Sequence, residues 1–179
     1  MSTKEFPSAE FELFEGASLE RVDDLLIAKG PAGEVKRKFP AKVLRIEISG
    51  RKVKIEANVA GARGRALVGA WSAHIKNMSR GVVSPFVYKL KVVYSHFPIS
   101  VTISNKEIGV QNFLGEKKAR KYAFPNGVDV SIKDNVITVS SPDIELAGQV
   151  ATSIEQLCKV RNKDRRIFQD GIYIVEKPK

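Results

Sequence analysis

The stretch Leu44-Arg-Ile46-Glu-Ile48-Ser49-Gly50-Arg-Lys-Val53-Lys-Ile55 returns 84 residues later as Val128-Asp-Val130-Ser-Ile132-Lys-Asp134-Asn135-Val-Ile137-Thr-Val139. Each copy alternates apolar and polar positions on both sides of a turn-forming pair, the pattern of two half-buried strands joined by a hairpin. A period of two sends alternate side chains to opposite faces, so each copy presents one apolar sheet face that another element must cover.

The cover follows in the chain. After the first copy, Leu67, Ala70, Trp71, His74, Ile75 and Met78 recur at helical spacing; after the second, Leu146, Val150, Ile154 and Leu157 do the same. Ser141-Pro142-Asp143 reads as the N-terminal cap of the second helix. Ahead of the copies stand Gly33-Glu-Val-Lys-Arg-Lys-Phe39-Pro40 and Gly115-Glu-Lys-Lys-Ala-Arg-Lys-Tyr-Ala-Phe124-Pro125, each a Gly-Glu start, a basic strand and a Phe-Pro stop. Between the halves, the segment 81–98 alternates at Phe86, Tyr88, Leu90, Val92 and Tyr94 and reads as a strand rather than a loose linker. The repeat decides the architecture. The predicted fold is α+β, with two duplicated domains over residues 1–80 and 81–179, each an antiparallel sheet with one helix packed on a face.

The 179 residues suffice for one ordinary domain or two small ones, and a hydrophobic content of 43% supplies a core. Thirty Lys and Arg against twenty Asp and Glu, with a pI near 9.7, favour a polyanionic partner. The charge is uneven. Residues 1–34 hold three bases against eight acids, net −5, so the remainder carries +15 and is where a polyanion should bind. The single cysteine, Cys158, permits no internal disulfide and suits a reducing compartment. The acidic start lacks an apolar signal region and no apolar run is long enough to span a bilayer, so a soluble cytosolic protein without membrane contact is expected.

Catalytic grammar is thin. His74 and His96 have no Cys, Asp or Glu at metal or triad spacing and read as structural histidines. Cys158 reads as a small buried apolar residue. Gly61-Ala-Arg63-Gly64-Arg65 shares letters with the GXXG loop of KH domains but not its context, and reads as a loop carrying two arginines ahead of a helix. No Walker A or G-x-G-x-x-G sequence is present. No cofactor or metal is expected, and no enzymatic activity.

Basic clusters carry the functional signal. Lys36-Arg37-Lys38 and Lys117-Lys118-Ala-Arg120-Lys121 occupy corresponding strands of the two halves. The strongest cluster, Arg161, Lys163, Arg165 and Arg166, leads into Phe168, an Asp170-Gly171 turn pair and a strand of Ile172, Tyr173, Ile174 and Val175. Cations beside a flat apolar ring suit phosphates. The sheets lack an RNP-type aromatic pair, so phosphate and 2′-OH contact with folded RNA is expected rather than single-strand stacking.

Two long strings then become recognisable. Gln156 … Val160 … Lys163 … Arg166-Ile-Phe168-Gln-Asp170-Gly171-Ile172-Tyr173-Ile174 … Lys177 resembles the C-terminal signature of the large-subunit ribosomal protein six family, in its archaeal and eukaryotic branch and archaeal-like. His74-Ile-Lys-Asn77-Met78 … Gly81-Val82 … Phe86 … Tyr88-Lys-Leu … Val93-Tyr94-Ser95-His96-Phe97-Pro98-Ile99 resembles the same branch, with Ser95 departing from a small apolar residue. The resemblance runs over nearly the whole chain. It implies a non-enzymatic, cytoplasmic constituent of the large ribosomal subunit that binds 23S-type rRNA near the stalk base and the sarcin–ricin loop. Implied partners are that rRNA, neighbouring ribosomal proteins at the stalk base and translational GTPases, with no homo-oligomer. The rRNA contacts it suggests are Arg161, Lys163, Arg165, Arg166, Phe168, Lys177, Lys117, Lys118, Arg120 and Lys121. Phe168 could stack on RNA or anchor the tail, with equal weight. Rival readings are a free RNA-binding or chaperone protein, an RNA-acting enzyme and a protein–protein adaptor.

Overall fold

The computed structural model describes residues 6–104, 106–164 and 166–178, which form two compact units, Met1–Pro85 and Phe86–Lys179. The first contains β1 (Ser8–Glu12), β2 (Ser18–Val22), β3 (Leu25–Gly30), β4 (Gly33–Lys38), β5 (Leu44–Ser49), β6 (Lys52–Ala57) and α1 (Gly61–Val83). The second contains β7 (Phe86–Val93), β8 (Ser100–Ser104), β9 (Glu107–Gln111), β10 (Arg120–Ala123), β11 (Asp129–Lys133), β12 (Val136–Ser141), α2 (Ile144–Leu157) and β13 (Gly171–Glu176).

The duplication extends to topology. In each unit an opening strand pairs with the second strand of the repeated hairpin, giving the sheets β1-β6-β5 and β11-β12-β7-β13. The strands between them form a separate meander, β2-β3-β4 and β10-β9-β8. All pairings are antiparallel. Each unit thus has two sheets where the sequence suggested one, because the basic strands β4 and β10 close meanders instead of joining the hairpin. The helix lies against both: α1 on β1, β6, β3 and β4, and α2 on β7, β12, β13 and β10. The α+β class with duplicated sheet-and-helix halves stands.

The repeated stretch behaves as its pattern dictates. Leu44, Ile46, Val53 and Ile55 are buried in the first unit, as are Ile137 and Val139 in the second. The two-residue hairpin loops open at Gly50 (φ 61°) and Asp134 (φ 55°), again 84 residues apart. Both stand in the left-handed region that such loops require, at no steric cost for glycine and tolerably for aspartate.

Three local readings are corrected. Gly61–Arg65 is the first turn of α1, not a loop ahead of it. A Cβ on Gly64 would stand 1.9 Å from the Val59 carbonyl oxygen and 2.8 Å from Pro7 Cγ, so this glycine serves close backbone approach. Residues 81–83 end α1 rather than begin the strand, which starts at Phe86. The stripe of α1 that packs on the core keeps the predicted Leu67, Trp71, Ile75 and Met78 and adds Gly64, Val68 and Val82, whereas Ala70 is exposed. On α2 the capping reading holds: the Asp143 carboxylate accepts from the Glu145 amide at 2.9 Å.

Candidate nucleic-acid interface

In the second unit one short segment, Ser95-His96-Phe97, touches both the C-terminal string and the loop that leads to Lys117 and Lys118. Strand β7 delivers the segment and Ile99, buried in the core, takes the chain back inward. Its first two residues face the C-terminal string. Asp170 is fully buried, and its carboxylate accepts from the Ser95 amide (2.8 Å), the Ser95 hydroxyl (2.9 Å) and the His96 amide (3.3 Å), with His96 Nδ1 at 3.3 Å from both oxygens. Burial opposes its ionisation, but the Ser95 amide and hydroxyl and the His96 ring and amide outweigh it and hold the carboxyl below its ordinary range. Ser95 thus contributes a hydroxyl hydrogen bond that an apolar side chain could not.

Ser95, His96 and Asp170 carry the letters of a hydrolase triad without its wiring. The Ser95 hydroxyl lies 3.1 Å from His96 Nδ1, the same nitrogen that faces Asp170. A nucleophile must instead meet the ring nitrogen opposite the orienting carboxylate. Cys158 is equally inert. Burial pushes its thiol up to about 12, leaving no thiolate for attack. Among the described residues no group of three or more His, Cys, Asp and Glu could hold a metal.

Asp170-Gly171 is not a turn of the predicted kind. Gly171 opens β13 opposite Val93, and a Cβ there would meet the Cys158 carbonyl oxygen and the Tyr173 ring at 3.3 Å. The glycine permits a close approach rather than a positive φ. Strand β13 then buries Ile172 and leaves Tyr173 and Val175 outward, with the Tyr173 hydroxyl donating to the Gln169 carbonyl at 3.0 Å.

The basic candidates separate by what holds them. Phe168 packs partly buried on the core, its ring stacked on His96 at 4.9 Å with Lys163 Nζ 4.5 Å from its centroid. Arg161 and Arg166 are exposed on the turn that Asp164 organises by accepting from the Arg166 amide (2.9 Å). Lys177 is exposed just past β13, and Lys117 and Lys118 are exposed before β10. None of these five makes an ion pair among the described residues. Arg165 lies outside the described residues.

Arg120 is committed inward. Its guanidinium forks onto Glu116 at 2.6 and 2.8 Å, donates to the Leu157 carbonyl at the end of α2 (2.7 Å) and lies 4.4 Å over the Phe113 ring. That hydrogen-bonded pairing holds the Glu116 carboxyl below its ordinary range. A cation on the last carbonyls of a helix also suits the helix dipole. Lys121 pairs with Glu107 at 2.9 Å on the open face of the meander. In the first unit Arg37 likewise turns toward the helix, 2.9 Å from His74 Nδ1. Each basic strand therefore spends one arginine on fastening its meander to its helix.

Comparison with known proteins follows the same outline. The family described as Ribosomal protein L6 matches residues 97–171. A large ribosomal subunit protein uL6 of Halobacterium salinarum is 42% identical over 170 residues, spanning 94% of this chain and 95% of the relative. The uL6 protein of Aeropyrum pernix is 44% identical over 168 residues, spanning 93% and 92%. That of Methanosarcina mazei is 40% identical over 166 residues, spanning 93% and 94%.

Proposed function

The chain belongs to the ribosomal protein L6 family, and from that premise we propose that its second unit is the principal rRNA-binding half, seated near the stalk base and the sarcin–ricin loop of the large subunit. It is a structural constituent of the cytoplasmic large ribosomal subunit, working in translation with rRNA and neighbouring ribosomal proteins, and it is not an enzyme.

One observation carries the assignment of the RNA-binding half. Two basic stretches far apart in sequence converge on consecutive residues: His96 stacks on Phe168 of the 161–170 string, and Phe97 rests on Gly115 beside Lys117 and Lys118. Cations on a rigid frame displace counterions from converging RNA helices and lower the repulsion between them. Phosphate contacts fix register rather than read sequence. In this reading Arg161, Lys163, Arg165, Arg166, Lys177, Lys117 and Lys118 meet phosphate. Arg120 and Phe168 position them, the first through α2 and the second through His96 and Lys163. Lys121 joins the contact by exchanging Glu107 for RNA. Translational GTPases would approach the same region of the subunit.

The test is sedimentation of a native lysate at moderate and high salt with this chain followed by antibody, then footprinting of the factor-docking rRNA. Co-migration with the large subunit until high salt strips the chain, and protection near the sarcin–ricin loop, are expected. A chain that stays in the soluble fraction at low salt would sink the reading in favour of a free RNA-binding protein. Protection confined to distant rRNA would sink the placement alone.

A further inference from the structure

We infer that Phe97, rather than Phe168, is a stacking platform for one unpaired nucleobase, with Lys117 and Lys118 taking the phosphates of that nucleotide. This rests on the reading of the second unit as RNA-binding and adds to it a mode of contact that the sheets themselves do not offer.

Phe97 is 45% exposed. Its inner face is covered. A Cβ placed on Gly115 would lie 3.6 Å from Phe97 Cζ and 3.7 Å from both Cε atoms. Near-equal distances to the three atoms at the far end of the ring put that point above the ring plane, so the ring lies flat on the glycine. Among the described residues no ring or cation stands against its outer face. Phe168 contrasts: an imidazole and an ammonium already lie against its ring.

The ground under Phe97 is prepared. Asn112 (φ 59°), Leu114 (φ 50°) and Gly115 (φ 79°) are all left-handed, a conformation that costs energy in the two non-glycine residues. Phe113, buried beneath Arg120, and the Asn112 side-chain amide donating to the Pro98 carbonyl (3.0 Å) hold the loop in that shape. Ser95 and His96, fixed on Asp170, hold the other end of the segment. A rigid ring loses little freedom on binding. Every base has a π-face, and cations beside an aromatic suit one nucleotide. Lys117 and Lys118 follow Gly115 by two and three residues and are exposed.

The experiment measures binding of the full chain to a transcript of its own large-subunit rRNA, with bulk tRNA as competitor, across a salt series. Phe97→Ala and Phe97→Leu should each weaken binding roughly 5- to 150-fold, the range for losing one base–aromatic stack. Phe97→Trp should bind at least as well as the parent. The salt slope should stay unchanged in all three, whereas Lys117→Gln and Lys118→Gln should each lower it by about 0.7–0.9. Parental affinity in Phe97→Ala, or full rescue by leucine, would overturn the stacking site while leaving the RNA-binding reading intact. A Phe97→Ala chain that binds the transcript normally but fails to enter large subunits would assign the ring to a protein neighbour and overturn it too. Failure of the parent chain to prefer the rRNA would instead overturn the underlying reading.

Discussion

Asp170 shows how a residue's role depends on what the fold brings to it. It is buried without a full countercharge, yet four donors from Ser95 and His96 meet it. Its folded-state pKa is depressed, so the ionised form stabilises the fold above the ordinary carboxylate range, and that stability is lost as pH falls through the folded value. Thermal melts of the full chain from pH 7 downward should therefore show an acid limb that Asp170→Asn flattens. At neutral pH Asp170→Ala should cost about 2–3 kcal/mol, because it strands buried donors. Ser95→Ala, which leaves the amide bond in place, should cost about 1 kcal/mol by denaturant unfolding. A Ser95→Ala chain as damaged as Asp170→Ala would show that the hydroxyl, not the amides, carries the site.

At the level of elements, helix α1 separates two glycines that look alike in sequence. Gly64 stands under the Val59 carbonyl with no room for a methyl group, whereas Gly69 has nothing within 4 Å of its Cβ position. Gly64→Ala should lose about 3 kcal/mol or more, since the clash is with backbone that cannot rotate away. Gly69→Ala should gain about 0.5–1 kcal/mol through helix propensity. Opposite shifts in melting temperature check both, and equal effects would refute the packing argument. The hairpins, the second helix and its Asp143 cap were legible because their signals are local: period, turn chemistry, a carboxylate at the right offset. The meanders were not, since nothing local says whether a basic strand joins the hairpin sheet or closes another. That Ala70 of α1 is exposed was also hidden, because alanine counts as apolar in a pattern yet costs little on a surface.

For the whole molecule, net charge is a blunt guide. Both units carry +5 by sequence count, so total charge does not single out the second. Both units partly neutralise themselves: Glu15, Glu20 and Glu34 pair with Arg51, Lys29 and Lys36 in the first, and Glu107, Glu116 and Glu176 with Lys121, Arg120 and Lys89 in the second. Both also leave exposed cations without an ion pair among the described residues: Lys42, Lys52, Lys54, Arg63 and Arg65 in the first, and Lys117, Lys118, Arg161, Arg166 and Lys177 in the second. Replacing Arg161 and Arg166 together by Gln should weaken binding to large-subunit rRNA and lower the salt slope by about 1.4–1.8. Arg120→Gln should act instead through the fold, lowering the melting temperature of the free protein by freeing Glu116 and the Leu157 carbonyl. A reduced salt slope in Arg120→Gln with an unchanged melt would return that arginine to the contact surface.

By itself the sequence determined what local chemistry can determine: the doubled hairpin, the helices that cover it, the excess of cations and the family those strings belong to. Tertiary structure alone decided which cations are spent and which are offered. It also decided that Asp170 would meet Ser95 and His96, and that Phe97 would lie open on Gly115. The physical reason is range. Periodicity and turn preference act between neighbours, whereas the Asp170 contacts with Ser95 and His96, and the seat of Phe97 on Gly115, join residues far apart in the chain, which meet only once the chain has closed its cores.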